Sequence, residues 1–214
     1  MKNITAVIAS ETKQSRFLKW IAASAYGLLA MTFLVFPAAA QESAPAFKSE
    51  KEKFKVVSLA QGLEYPWSLA FLPNGDMLVT EREGRLNLLR AKTYKREDIS
   101  GVPKVLAKGQ GGLLDVLVHP DFARNRVIFL SYGAKDERGA AGTEVLRAEL
   151  NGTKLENGKV IFRAAPKTKS GNNHFGSRLL WGPDDKLYIT LGERNIKKEA
   201  QDPSNHLGSV IRIN

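Results

Sequence analysis

Of the three histidines in the chain, His174 has the neighbours that general-base chemistry needs. It lies in SGNNHFGSRLLWGPDDKLYITLGE, residues 170–193, a stretch that closes on Glu193. An imidazole changes charge between about pH 5 and 8, so its neutral form can take a proton, and an adjoining carboxylate can hold the tautomer that does so. The stretch reads as a polar loop, an apolar strand, a tight Gly-Pro-Asp-Asp turn and an alternating strand, KLYITL. A hairpin of that form brings His174 and Glu193 together although they stand nineteen residues apart. Spacing alone leaves a plainer alternative open, a solvated histidine and a solvated glutamate in two ordinary loops. A third candidate is Gln110 within Gly109-Gln110-Gly111-Gly112. An amide flanked by glycines lets a flat anionic ligand approach both backbone and side chain, and the alternative is a glycine-rich turn with a solvated glutamine.

The elements that must position these residues are strands. FKVVSLA, SLAFLPNGDMLVTER, GRLNLLR, EVLRAEL, KVIFRA and VIFLSYG are short β-branched or alternating runs bounded by Gly, Pro, Asn and Asp. Asn-Gly at Asn151-Gly152 and Asn157-Gly158 suits tight hairpins, because both residues accept positive φ. No segment sustains a helical period, and KEAQDPSNHL gives at most one short turn. A degenerate repeat is present: SLAFLPNGDMLVT, residues 68–80, aligns without a gap on RLLWGPDDKLYIT, residues 178–190. A looser copy is LLDVLVHPDFARNRVIFLSYG, where His119 precedes a longer Pro120-Asp121 turn. The aligned prolines stand at 73, 120 and 183, and repeats of roughly 40–50 residues holding several strands predict an all-β chain built as β-propeller blades.

The 214 residues carry a net charge of +10, from 32 basic and 22 acidic side chains. Lys2, Lys13, Arg16 and Lys19 precede an uncharged, mostly apolar run from Trp20 to Phe36, and Pro37-Ala38-Ala39-Ala40 closes it. That pattern predicts a secretory signal over 1–40 cleaved between Ala40 and Gln41, the alternative being a single membrane anchor at the lower limit of spanning length. Without those residues, 28 basic and 21 acidic side chains leave a net +7 and no stable membrane span. The basic residues are scattered rather than striped between aromatics, which argues against nucleic acid and suits a solvated face or attraction of small anions. There is no cysteine, hence neither a disulfide framework nor a lipid attachment site after the apolar run. Residues 41–53 read as a flexible lead-in, with order expected from Phe54 to Asn214.

Four blocks then carry a resemblance. LAQGLEYPWSLAFLPNGDMLVTEREGRL, GQGGLLDVLVHPDF, NHFGSRLLWGPDDKLYITLGE and LGSVIRIN resemble, in that order, the soluble pyrroloquinoline-quinone-dependent aldose dehydrogenases of the glucose/sorbosone dehydrogenase family. The resemblance covers almost all of residues 55–214 and implies a six-bladed propeller of four-stranded blades, with about three blades in this chain. It further implies a periplasmic or secreted oxidoreductase that oxidises the C1 hydroxyl of an aldose sugar to a lactone and passes the electrons to an acceptor. The cofactors implied are pyrroloquinoline quinone (PQQ) and calcium, bound at the mouth of the channel. On matching positions it makes His174 the catalytic base, Glu193 the residue that orients it and Gln110 a cofactor contact. Arg178 in the same block is a further candidate for contact with an anionic cofactor, unless it serves packing or a hairpin ion pair. His206 receives no role.

In the family the chain continues beyond the equivalent of RIN, and the calcium ligands and further quinone contacts lie in that continuation, so no metal ligand is assigned here. Residues 54–214 by themselves are expected to leave a propeller unclosed and not competent as a dehydrogenase. Two other readings stay open: a secreted propeller module that binds carbohydrate or protein without catalysis, and a metal-dependent lactonase. For the second, no cluster of carboxylates and amides can be assembled.

Overall fold

The computed structural model describes residues 7–9, 46–48, 50, 51 and 53–214. The expected signal segment lies outside the described residues except for Val7–Ala9, and the cleavage point lies outside them altogether. The chain divides into two compact units, one running from Ala6 to Leu59 and the other holding Ala60–Asn214. In the first, β1 (Val7–Ala9), β2 (Ala46–Lys48) and β3 (Lys53–Val57) form an antiparallel sheet in the order β1-β3-β2.

The second unit is all-β. A four-stranded antiparallel sheet runs in sequence order through β4 (Pro66–Phe71), β5 (Met77–Glu81), β6 (Arg85–Leu89) and β7 (Arg96–Ile99). A second follows through β8 (Leu113–Val118), β9 (Val127–Lys135), β10 (Ala141–Asn151) and β11 (Lys154–Arg163). A third has β12 (Gly176–Trp181), β13 (Leu187–Leu191) and β14 (Val210–Ile213). The only helical pieces among the described residues are α1 (Phe122–Asn125), in the turn after Pro120-Asp121, and a 3-10 segment at Lys197–Gln201. The first strands lie together, with β8 packed beside β4 and beside β12. Sequential four-stranded sheets gathered on their first strands are propeller blades.

The repeat seen in sequence is built into the hydrogen bonding. Leu69 pairs with Val79, and Leu179 with Ile189, at matching places in the two hairpins. Each first strand has a register irregularity near its start, after which one backbone N–H turns to a hydroxyl on the second strand. Ser68 N–H donates to Thr80 Oγ1 at 3.0 Å, Asp115 N–H to Ser131 Oγ at 2.9 Å, and Arg178 N–H to Thr190 Oγ1 at 2.9 Å. A bulge would otherwise leave that donor buried and unpaired, at about 1–3 kcal/mol each.

Packing follows the two-residue period. Ile128 and Leu130 of β9 join Leu78, Leu86 and Leu88 in a core between the first and second blades. Val127 and Phe129 on its other face join Leu179, Leu187 and Ile189 in a core between the second and third. A middle blade is buried on both faces, which is why VIFL is continuously apolar where a half-exposed strand would alternate. On the outward faces the same period leaves Phe71 of β4 62% exposed and Leu180 of β12 61% exposed.

One expectation needs correction. Asn151-Gly152 forms the predicted β10–β11 hairpin turn, whereas Asn157-Gly158 lies inside β11. There Asn157 takes φ +52, and the register shifts between Arg147 and Glu149 on the paired strand. The dipeptide makes a bulge rather than a turn, because the strand continues to pair on both sides of it.

Candidate active site

His174 closes the loop that enters β12, and Glu193 follows Gly192 at the end of β13. Pairing of Gly176 with Leu191 sets the two ends of the hairpin side by side. The chains then approach so closely that a Cβ on Gly192 would stand 2.2 Å from the carbonyl oxygen of His174. Only glycine fits there, and the approach lets the two side chains meet. His174 Nδ1 contacts Glu193 Oε1 in a short hydrogen bond. The ring's N–H, with the backbone N–H groups of Glu193 and Asn195 adding to it, holds the Glu193 carboxyl below its ordinary range despite some opposing desolvation. An ionised carboxylate only accepts, so Nδ1 carries a proton, and in the neutral ring the lone pair is on Nε2. The imidazole side chain is 44% exposed, leaving that nitrogen accessible.

The glycine-rich loop faces the histidine loop. Gln110 N–H donates to the Asn172 carbonyl at 2.8 Å, and the side-chain Oε1 of Gln110 accepts from His174 N–H at 2.8 Å. A Cβ on Gly109 would lie 2.6 Å from the Asn172 carbonyl oxygen, so the close approach of the loops requires glycine. Arg82 supports the loop from the first blade by donating from Nη1 to the Gly109 carbonyl at 3.1 Å. Gln110 is exposed, and its Nε2 has no hydrogen-bond partner among the described residues.

Arg178 is engaged elsewhere. Its Nη1 donates to Asp115 Oδ1 at 3.0 Å, and its guanidinium carbon lies 4.7 Å from the centre of the Trp67 ring. Asp115 is buried and also accepts from Ser68 Oγ, at 2.5 Å, and from the N–H groups of Val116, at 3.0 Å, and Leu179, at 2.7 Å. Ser68, Asp115 and Arg178 occupy equivalent places in three successive blades, so this cluster ties the first strands together. The Arg178 side chain is 59% exposed, and its remaining N–H groups are what it can offer an anion.

The structure therefore brings His174, Glu193 and Gln110 into one bonded group, with Arg178 in the adjoining inter-blade cluster. His119 and His206 stand apart: the Nδ1 of each accepts a backbone N–H at 3.0 Å, from Asp121 and from Ala165. Sequence reading missed Asp115 and Arg194. A lone acid in the apolar run LLDVLV was a visible signal for Asp115, since a charge in a buried strand needs several partners. Nothing beyond adjacency to Glu193 pointed to Arg194, whose guanidinium donates to the carbonyls of Gly171, at 2.7 Å, and Asn173. Among the described residues no group of three or more His, Cys, Asp or Glu could hold a metal ion. No helix among them is long and apolar enough to cross a membrane.

The glucose/sorbosone dehydrogenase family pattern matches residues 63–214. Aldose sugar dehydrogenase YliI of Escherichia coli (strain K12) is 44% identical over 158 residues, covering 72% of this chain and 42% of the relative. A solved glucose dehydrogenase structure is 46% identical with a TM-score of 0.70, over 73% of this chain and 46% of that one. The PQQ-bound form of aldose sugar dehydrogenase from Streptomyces coelicolor is 31% identical with a TM-score of 0.66, over the same two shares, 73% and 46%. The chain thus spans less than half the length of each of these relatives. With the propeller blades, the paired loops and these matches in agreement, the chain belongs to the glucose/sorbosone dehydrogenase family.

Proposed function

We propose that this chain supplies the proton-accepting side of a PQQ-dependent aldose sugar dehydrogenase that oxidises the C1 hydroxyl of aldoses to lactones and passes the electrons to an acceptor. The observation that carries the reading is the bonded group of His174, whose Nδ1 meets the Glu193 carboxylate, and Gln110, whose Oε1 holds the His174 backbone and whose exposed Nε2 has no partner among the described residues. A relative solved in its PQQ-bound form supports the choice of cofactor. The residues fit one side of such a group: an exposed amide donor on a glycine loop, with no bulky side chain in that loop beside it. When bound, PQQ would supply the two-electron acceptor for the hydride that leaves C1.

The remaining work falls to side chains. His174 Nε2 takes the hydroxyl proton as C1 loses its hydride, so one proton and one hydride leave the sugar together. Glu193 stabilises the imidazolium that results and keeps the ring from turning. Gln110 Nε2 donates to an oxygen of the anionic ligand, and the spare N–H groups of Arg178 add a second donor. Export to the periplasm is part of the proposal and rests on the first forty residues. N-terminal sequencing of exported protein should begin at Gln41.

The test is to complete the propeller with the remaining blades of a family member, reconstitute it with PQQ and calcium, and follow reduction of an artificial acceptor on adding aldoses. Turnover that is lost in His174→Ala supports the reading. Sugar binding without turnover favours the non-catalytic module, and full turnover by His174→Ala removes His174 from the chemistry.

A further inference from the structure

The loop that presents His174, residues 170–175, has no regular secondary structure before Phe175, yet each of its carbonyls from 171 to 173 is held. Gln110 N–H holds the middle one, Asn172. Arg194 holds the two on either side, Gly171 and Asn173. The guanidinium of Arg194 is 2% exposed, and its carbon sits 3.6 Å from the centre of the Phe175 ring. Its own carbonyl accepts from Ser170 Oγ at 2.5 Å, so both ends of the residue strap the same loop. Its partners are carbonyls and a ring face, Nε is buried with no partner, and burial lowers its affinity for the proton. A desolvated cation with an unpaired N–H contributes little to stability that an apolar side chain could not match. What an apolar side chain cannot do is fix two carbonyls.

Fixing them matters because His174 adopts φ +51, in the left-handed region. That conformation costs a non-glycine residue about 1–2 kcal/mol, and an unrestrained loop would leave it. We propose that Arg194 is a positioning residue for His174, clamping the Gly171 and Asn173 carbonyls so that the imidazole meets Glu193 through Nδ1 and presents Nε2 outward. The functional part of this inference rests on the dehydrogenase reading, whereas the positional part does not.

The experiment uses the tautomers of the three histidines. His119 and His206 accept at Nδ1 and are therefore Nε2–H tautomers, while His174 is the Nδ1–H tautomer. Long-range proton–nitrogen NMR on the intact, quinone-free protein distinguishes them. In Arg194→Gln the His174 nitrogens should average between tautomers while His119 and His206 keep their parent shifts, which also reports that the fold is intact. Arg194→Lys, with charge kept and only one carbonyl within reach, should show partial averaging and serves if Arg194→Gln does not fold. Parent-like His174 shifts in a folded Arg194→Gln protein overturn the proposal.

With quinone bound, kcat should fall about 10²-fold in Arg194→Gln at a sugar KM within about twofold of the parent. An unchanged kcat overturns the functional part. If the parent, completed by the remaining blades and loaded with quinone, reduces no acceptor, the dehydrogenase reading fails, and the NMR comparison still decides whether Arg194 positions the ring.

Discussion

The backbone N–H of His174 donates to the side-chain oxygen of Gln110 at 2.8 Å, joining residues sixty-four positions apart on two different blades. Gln110 thereby has two separable capacities: Oε1 fixes the histidine loop and Nε2 faces outward. Gln110→Glu keeps an acceptor for His174 N–H and removes the outward donor, whereas Gln110→Ala removes both. Quinone affinity, followed by tryptophan fluorescence, should weaken in both variants. The His174 ring signals should move in Gln110→Ala and stay near parent positions in Gln110→Glu.

Substitution within the dyad should affect chemistry more than binding. His174→Ala should lower kcat about 10³-fold, and Glu193→Gln about 10²-fold, with the sugar KM little changed in both. Steady-state acceptor reduction by the completed, PQQ-loaded propeller measures each, and a parallel rise in KM would place the pair in sugar binding instead.

The depressed proton affinity of Glu193 sets a pH window. A carboxyl held below its ordinary value of 4.5 in the folded state contributes stability that is fully present above that value and lost as pH falls through the folded pKa. The Glu193 side-chain carboxyl carbon, titrated by NMR, should therefore show its midpoint below 4.5. His174→Ala, by removing the donor, should move that midpoint up.

Gly192→Ala places a methyl group where the His174 carbonyl oxygen already stands. Backbone must shift on one side or the other, which should destabilise the protein by about 1–3 kcal/mol in urea unfolding. Activity should fall in the fraction that remains folded, because the displaced carbonyl belongs to the proposed base.

Asp115→Ala strips partners from Ser68 Oγ, from the N–H groups of Val116 and Leu179, and from Arg178. Because Arg178 is largely exposed, most of the loss comes from the buried donors, on the order of 2–3 kcal/mol. Urea denaturation measures it. Asp115→Asn should recover part of the loss, since its one remaining side-chain oxygen still accepts.

Local chemistry wrote much of this fold into the sequence. The alternation in KLYITL, the Gly-Pro-Asp-Asp turn and the match of residues 68–80 with 178–190 give the hairpins, because each depends on neighbours close along the chain. His174 and Glu193 could be paired for the same reason, since one hairpin links them. Asn157-Gly158 misled because its positive φ suits a bulge as well as a turn, and only the continuing pairing of β11 chooses between them. The hold of Gln110 on His174, the clasp of Arg194 on Gly171 and Asn173, and the meeting of Ser68, Asp115 and Arg178 were decided in three dimensions. These contacts run between blades or through irregular loops, where no period or turn rule constrains the partner. Residue types and their spacing singled out the side chains that could do chemistry, and packing of one blade against the next sets how each of them is held.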